Sequence, residues 1–153
     1  MKELQNGRSM IEMLGVLAII GVLSIGGLAG YTMAMNRHRA NTILDYASRC
    51  VVVAQTQGDG SKIDTGSCQT ILDNEPLPGG ATAIELALSS SGADIEVTVT
   101  HTSEKVKEAL DNRNTDNITI SGGKITFKGA GAGMTAKAVT TTTPSGSDTE
   151  GGS

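Results

Sequence analysis

The chain has 153 residues, a formal net charge of −4 at pH 7, and almost no aromatic side chains: no Trp, two Tyr and one Phe. This length leaves room for one modest domain beside an anchor, and its core must be built mainly from Ile, Leu, Val and Ala. From residue 59 onward thirteen acids stand against seven bases. Such an acidic region argues against general nucleic-acid binding through phosphate neutralisation, so nucleic acid is not an expected partner.

A run without charged residues, from Met13 to Met35, follows a short polar N-terminus. At about 1.5 Å per residue, a helix over this run is long enough to cross a bilayer core of roughly 30 Å. It would be apolar on every side, which a helix buried in the core of a soluble domain does not need. One carboxylate, Glu12, stands directly before the run, where a charge is unfavourable unless it finds a partner. We therefore predict a membrane-anchoring helix in which Glu12 has a specific role.

The N-terminal segment, with Glu12 directly before its apolar run, resembles the class III signal of type IV pilins and the related pseudopilins. In that family a short charged leader ends in Gly, a prepilin peptidase cuts after it, and Glu is the fifth residue of the mature chain. Here residues 1–7, MKELQNG, match the leader, the cut would fall between Gly7 and Arg8, and Glu12 is then fifth. The segment GVLAIIGVLS that follows is similar to the family's apolar core. Beyond Gln57 the sequence shows no resemblance.

Two residues depart from the family pattern, and the pilin subclass stays open. The mature chain would begin with Arg8, where the family usually has an apolar residue, and Ala29 stands where the common subclass has a mid-helix proline. Two other interpretations of the segment are an ordinary secretory signal, cut near Gly27-Leu28-Ala29, and a simple single-span anchor. Glu12 and the helical pattern beyond the apolar run favour the pilin-like interpretation. Basic residues flank both ends of the run, so a cytoplasmic N-terminus is implied by the resemblance and not by charge.

The helical pattern continues past the apolar run without Pro or Gly as far as Gln57. Apolar residues recur there at helical spacing: Ile43, Ala47, Cys50 and Ala54. We therefore predict one long helix over residues 8–57. Its first half is apolar all round, and its second half can pack against a domain.

Residues 58–80 are predicted to be a connecting loop and residues 81–142 a sheet domain. Alternating apolar residues predict a hairpin with strands near 83–88 and 95–100, although the first strand also fits a short helix. Further expected elements are a helix over 104–112 with Ser103 as N-cap, a second hairpin of 117–121 and 124–128 around Gly122-Gly123, and a last strand over 134–142. The Gly- and Ser-rich segment 143–153 is expected to be a disordered tail. The predicted fold class is α+β, a long N-terminal helix packed against an antiparallel sheet, which the pilin resemblance also implies.

The two cysteines, Cys50 and Cys68, lie after the apolar run. In the orientation that the resemblance implies they face an oxidising compartment, so we expect a disulfide between them. In the chain-entropy model such a closed loop contributes about 3 kcal/mol. No C-x-x-C motif or paired His accompanies them, so a zinc site is not expected.

Candidate chemistry is sparse, and we predict neither an enzyme nor a cofactor. The two histidines are isolated, and no nucleophile motif is present. The glycines of residues 129–133 lack the remainder of a phosphate-binding loop. Oxygen-bearing side chains cluster in residues 111–117 and would suit Ca²⁺, but the run does not match an EF-hand, and Asn and Asp are ordinary turn formers. We therefore favour a turn over a metal site there, with calcium binding as the less favoured alternative.

The resemblance implies a structural subunit of a type IV pilus or pseudopilus. After leader cleavage, helices of successive subunits would share an apolar core, with Glu12 paired to the amino terminus of a neighbour at Arg8. The implied partners are further copies of the chain, the prepilin peptidase, the membrane and an inner-membrane assembly platform. The implied location is the inner membrane with a periplasmic domain, and an extracellular pilus or periplasmic pseudopilus after assembly. The alternative is a membrane-anchored, exported binding module or adhesin that does not polymerise.

Overall fold

The computed structural model describes residues 3–58, 61–101 and 103–139, with side chains from Met10 onward. The elements in chain order are α1 (Glu3–Gln57), β1 (Lys62–Ser67), α2 (Cys68–Ile71), β2 (Ala81–Leu88), β3 (Ile95–His101), α3 (Glu104–Asp111), β4 (Ile118–Ser121), β5 (Lys124–Phe127) and β6 (Thr135–Ala138). The α+β fold class is as predicted. The predicted tail, 143–153, lies outside the described residues.

The second half of α1 carries the core. Its fully buried residues follow the predicted helical spacing and have 0% exposure: Ala40, Ile43, Ala47, Cys50 and Ala54. Several of them are small, so the sheet and the helix backbone can approach closely. The largest buried side chain of the described residues is Tyr46, at 1% exposure, so the core includes one aromatic ring beside its aliphatic residues.

The sheet has six strands in the order β4-β5-β3-β2-β1-β6. On its central strands one face is apolar, and cross-strand pairs such as Ile84 with Val99 and Leu86 with Val97 are buried together. The other face carries polar and small residues, among them exposed Glu85, Ala87 and Thr98. This alternation explains why β2 is a strand and not the short helix that its sequence also allowed.

The segment predicted as a connecting loop, 58–80, contains β1 and α2, which is a correction. The sheet is also mixed, because β1 pairs antiparallel with β2 but parallel with β6. In the sequence KIDTGS only Ile63 is strongly apolar, so β1 lacks a visible period of two. Its pairing with β6 joins segments that are far apart in sequence, which local patterns do not report. The last strand is shorter than predicted, and residues 140–142 lie outside the described ones.

The loop before β2 approaches α1 at Gly79. This glycine has φ +66°, and an added Cβ would lie 2.8 Å from the carbonyl oxygen of Arg39 and from the side chain of Ile43. A side chain here is therefore excluded both by backbone conformation and by space. The contact keeps the loop against the first buried turns of α1.

The helix α3 packs on α1 and also touches β3 and β4, and its buried residues are Val106 and Leu110. Ser103 is its N-cap by position, but its side chain makes no capping hydrogen bond, which corrects the expectation. Instead the Ser103 backbone N–H donates to His101 Nδ1 at 2.8 Å. The second hairpin, β4 and β5, forms around Gly122 and Gly123 as predicted, with both glycines at positive φ.

Candidate assembly site

The first half of α1 presents an exposed apolar surface on all sides. Its large apolar residues are between 53% (Ile20) and 75% (Ile25) exposed. They are Met10, Ile11, Met13, Leu14, Val16, Leu17, Ile19, Ile20, Val22, Leu23, Ile25, Leu28, Tyr31 and Met33. Isolated exposed apolar residues are normal, but a continuous surface of this extent marks a site that meets a membrane or other protein chains.

Length and composition make this helix a candidate membrane anchor. The helix segment Met10–Gln57 contains a window of mean hydropathy 2.2, of which none is buried against the rest of the chain. Two hydroxyl side chains within the apolar run are satisfied by the helix itself. Ser24 Oγ donates to the carbonyl of Ile20 at 2.8 Å, and Thr32 Oγ1 donates to that of Ala29 at 2.9 Å. Polar groups bonded in this way need no water, which suits an apolar medium.

Glu12 lies near the start of this surface and is exposed. Its neighbours in sequence, Ile11 and Met13, are 73% and 69% exposed and apolar. Among the side chains that the structure describes, Glu12 makes no ion pair and accepts no hydrogen bond. In a single chain this carboxylate therefore depends on water, and in an apolar medium it would need a partner from elsewhere.

Gly7 and Arg8 lie within α1, so the helix runs through the predicted cleavage point. Arg8 precedes Glu12 by four residues, about one helical turn. The side chains of residues 3–9 and the whole of residues 1–2 lie outside the described part of the chain. The predicted leader, 1–7, is thus described only by the backbone of its last residues.

The predicted disulfide joins Cys50 to Cys68 with a Cα–Cα distance of 5.6 Å. Cys50 belongs to the buried stripe of α1, and Cys68 begins α2 directly after β1. The bridge therefore ties the last buried turns of the long helix to the start of the domain. It is positioned to fix the domain on the half of α1 that is not apolar all round.

A polar cluster near the disulfide also connects the second half of α1 to the domain, at the loop that contains Glu75. Tyr46 Oη donates to the backbone carbonyl of Glu75 at 3.2 Å, and the Arg49 guanidinium pairs with the Glu75 carboxylate at 2.9 Å. Burial raises the pKa of the Tyr46 hydroxyl, the charge of Glu75 adds to this, and Arg49 partly opposes it. The hydrogen bond to Glu75 raises the pKa of Arg49. Sequence reasoning missed this cluster, because Glu75 lies in a loop and carries no motif.

The oxygen-bearing side chains of residues 111–117 are used partly for structure. Asp111 Oδ2 accepts the backbone N–H of Gly122 at 3.2 Å, and Asn114 Oδ1 accepts that of Ile120. Both bonds connect the end of α3 to the second hairpin. Among the described residues, no group of three or more His, Cys, Asp or Glu side chains is arranged to hold a metal ion.

The two histidines do not meet in the structure. His101 Nε2 lies 2.8 Å from the carbonyl oxygen of Gly79, and Nδ1 accepts the backbone N–H of Ser103. This requires the proton on Nε2, so His101 links the loop before β2 to the start of α3. His38 is exposed on α1. Neither ring is paired with a nucleophile among the described residues.

The chain was compared with protein-family models, with curated proteins and with solved structures, and none of these comparisons gives a match. A long apolar N-terminal helix, a disulfide and a sheet are compatible with a pilin-like architecture. The pilin-like features of the chain are the motif within residues 1–57 and the exposed apolar surface around Glu12.

Proposed function

We propose that this chain is a structural subunit of a type IV pilus or pseudopilus, which assembles through the first half of α1 after its leader is removed. The observation that carries the proposal is a wholly exposed apolar half-helix with one carboxylate, Glu12, near its start. Assembly, and not turnover of a substrate, is the work that such a surface can do.

The apolar surface suits two successive environments. Before assembly it lies in a lipid bilayer, where its own hydroxyl groups are already bonded to helix carbonyls. In a filament it packs against the same surface of neighbouring subunits. Both environments remove the apolar side chains from water, so the transfer from membrane to filament changes little in hydrophobic energy. Specific contacts between subunits must therefore favour the filament over the membrane.

Glu12 supplies one such contact. Cleavage after Gly7 leaves a charged amine on Arg8, and in a stack of helices the Glu12 carboxylate of one subunit pairs with that amine on the next. Removing one partner of a buried ion pair typically costs about 3–5 kcal/mol, because the other charge stays buried without a partner. The guanidinium of Arg8 offers a second donor that an apolar first residue would lack.

Small residues on α1 support close helix packing. Gly26, Gly30 and Ala34 follow each other at intervals of four, the spacing of small residues at helix–helix contacts in membranes. A Cβ added at Gly26 or Gly30 would meet nothing within 4 Å in a single chain. The fold of one chain therefore does not require these glycines, whereas contact with a second helix would use them.

The proposed function implies a location and a set of partners. The precursor sits in the inner membrane with its N-terminus in the cytoplasm and its sheet domain in the periplasm, where the disulfide forms. It is cut by the prepilin peptidase and drawn by an inner-membrane assembly platform into an extracellular pilus or a periplasmic pseudopilus. A membrane-anchored binding module that never polymerises would use the same anchor but would need neither cleavage nor Glu12.

The test compares two carboxylate substitutions in cells that produce the chain with a pilus assembly system. Glu12→Gln keeps the shape of the side chain but removes its charge, and Glu85→Gln does the same on the exposed polar face of β2. We expect Glu12→Gln to weaken subunit association about a hundred-fold, since a loss of about 3 kcal/mol has that effect. The measurement is sheared filament relative to membrane-bound subunit.

Glu85→Gln should retain the wild-type filament yield. Equal yields from wild type and Glu12→Gln, or no filament from any variant, would contradict the proposal and favour the non-polymerising module. N-terminal sequencing of the mature protein gives an independent result. A chain that begins at Arg8 supports leader cleavage, and one that begins at Gly30 supports an ordinary secretory signal.

A further inference from the structure

A cleft of about 670 Å³ lies between α3 and the turns of α1 where the apolar run ends. The residues that matter in its wall are Met33, Asn36 and Arg37 from α1, and Lys105, Glu108 and Arg113 from α3 and the residues after it. A second hollow beside it shares Met33, Arg37 and Arg113. The two hollows therefore form one groove around the end of the apolar run.

The groove is basic in a domain that is acidic elsewhere. Three cations, Arg37, Lys105 and Arg113, stand against one carboxylate, Glu108. None of these four side chains takes part in an ion pair among the described residues. By contrast, Lys124 pairs with Glu96 and Lys137 with Asp64. Arg113 is half-buried and still has no carboxylate partner. The cations are therefore available to an anion from outside the chain.

The position of the groove indicates which anion this is. Met33 belongs to the charge-free run, and Arg37 is the first charged residue after it. These residues are four apart, about 6 Å along a helix axis. If the run spans the bilayer, Met33 lies at the end of the hydrocarbon layer and Arg37 at the level of the lipid phosphates. Because α3 packs beside these turns, Lys105 and Arg113 lie at the same level.

We propose that this groove binds the phosphate of an anionic phospholipid headgroup and thereby seats the sheet domain on the membrane surface before assembly. The inference rests on the membrane-anchor part of the proposed function. Arg37, Lys105 and Arg113 hold the phosphate, and Met33 meets the upper part of the acyl chains. Glu108 opposes the anion and limits the affinity.

The experiment uses the full-length protein in neutral detergent micelles. It is titrated with phosphatidylglycerol, phosphatidylcholine or inorganic phosphate, and bound lipid is measured by native mass spectrometry. A basic residue near an anionic lipid contributes about five-fold in affinity. We therefore expect Lys105→Gln and Arg113→Gln each to weaken phosphatidylglycerol binding about five-fold, and Glu108→Gln to strengthen it.

The matched control is Lys128→Gln, which removes an exposed lysine outside the groove and should leave the affinity unchanged. Lys105 is exposed, so its substitution tests the groove even if the half-buried Arg113 affects folding. Equal binding of phosphatidylcholine, equal binding of inorganic phosphate, or equal affinities for all variants would overturn the proposal. So would groove variants that bind lipid normally but form fewer filaments, because the groove would then contact a neighbouring subunit.

Failure of this inference is distinguishable from failure of the proposed function. Glu12→Gln should leave lipid binding unchanged, since Glu12 lies near the opposite end of the apolar run. If the protein binds phosphatidylglycerol through the groove but forms no filament, the lipid site is supported and the proposed function is contradicted.

Discussion

The two halves of α1 belong to one continuous helix but have opposite surroundings. Ile19 in the first half is 62% exposed, whereas Ile43 in the second half is 0% exposed. The difference does not come from residue type, because both are isoleucines in the same element. It comes from pattern: the first half is apolar on every side, and the second half carries one buried stripe with polar residues on its other faces. A helix with this pattern can carry a folded domain on one half and meet a membrane or other chains with the other half.

The largest effect is expected when the same residue type is substituted in each half of α1. Ile43→Ala should lower the free energy of unfolding of the sheet domain by about 3–4 kcal/mol, because it leaves a cavity under the sheet. Ile19→Ala should change it by less than about 0.5 kcal/mol, because this side chain contacts no part of the domain. Hydrogen exchange of the β2 and β3 amides, in full-length protein in micelles, measures both. Similar effects of the two substitutions would show that the halves are not independent.

A second test removes the covalent bond that secures the domain to the second half. Replacing both Cys50 and Cys68 by Ala should lower the free energy of unfolding by about 3 kcal/mol. Membrane insertion should stay unchanged, because the apolar run contains no part of the loop that the bond closes. Wild-type protein kept in a reducing agent is the control and should match the double variant. A variant as stable as the oxidised wild type would contradict the importance of the bridge.

The smallest expected effect concerns the two tyrosines, one in each half. Because burial raises the pKa of Tyr46, the folded protein holds this proton more tightly than the unfolded chain. The resulting stability is fully present below the ordinary tyrosine pKa of about 10 and is lost as the pH rises through the higher folded value. Tyr46→Phe should remove that loss above pH about 10, and should cost about 1 kcal/mol at pH 8 through the missing hydrogen bond.

Tyr31→Phe in the apolar half is the matched control, since Tyr31 is 63% exposed and remote from the sheet. It should leave the unfolding midpoint at pH 8 unchanged, because among the described residues its hydroxyl makes no hydrogen bond to the domain. Urea unfolding midpoints between pH 8 and pH 11 provide the comparison. If Tyr46→Phe and the wild type lose stability in parallel, Tyr46 is not the titrating group.

Much of the fold could be predicted from local sequence pattern. The buried stripe of α1, both hairpins and α3 follow from periodicity and from turn glycines, because each lies within one short segment. The strand β1 and its parallel pairing with β6 could not be predicted in this way. Only Ile63 marks β1 as apolar, and its partner strand is more than seventy residues away. Ser103 has the extended backbone that is usual for an N-cap, yet its side chain makes no capping hydrogen bond, so residue type and position alone do not determine this contact.

The candidate sites differ in the same way: one is visible in the local sequence, and the other is formed only by the fold. Glu12, Gly7 and Arg8 stand out in the sequence because they lie close together in a motif. The basic groove does not, since Arg37 and Arg113 become neighbours only when α3 packs on α1. In the sequence, Arg37 is simply the first charged residue after the apolar run. Only its neighbours in the fold, Lys105 and Arg113, make it part of a candidate anion site.

The bridge between Cys50 and Cys68 also has a mechanical consequence. If the two ends of the chain are pulled apart, tension leaves α1 at Cys50, crosses the sulfur atoms and enters the domain at Cys68. Residues 51–67, which include the end of α1 and all of β1, lie in a closed covalent loop and bear none of that load. An extended segment of this length would otherwise add roughly 55–60 Å to the chain. The bond therefore limits how far the chain can extend under tension, and it protects β1, the strand that pairs with β6, from that tension.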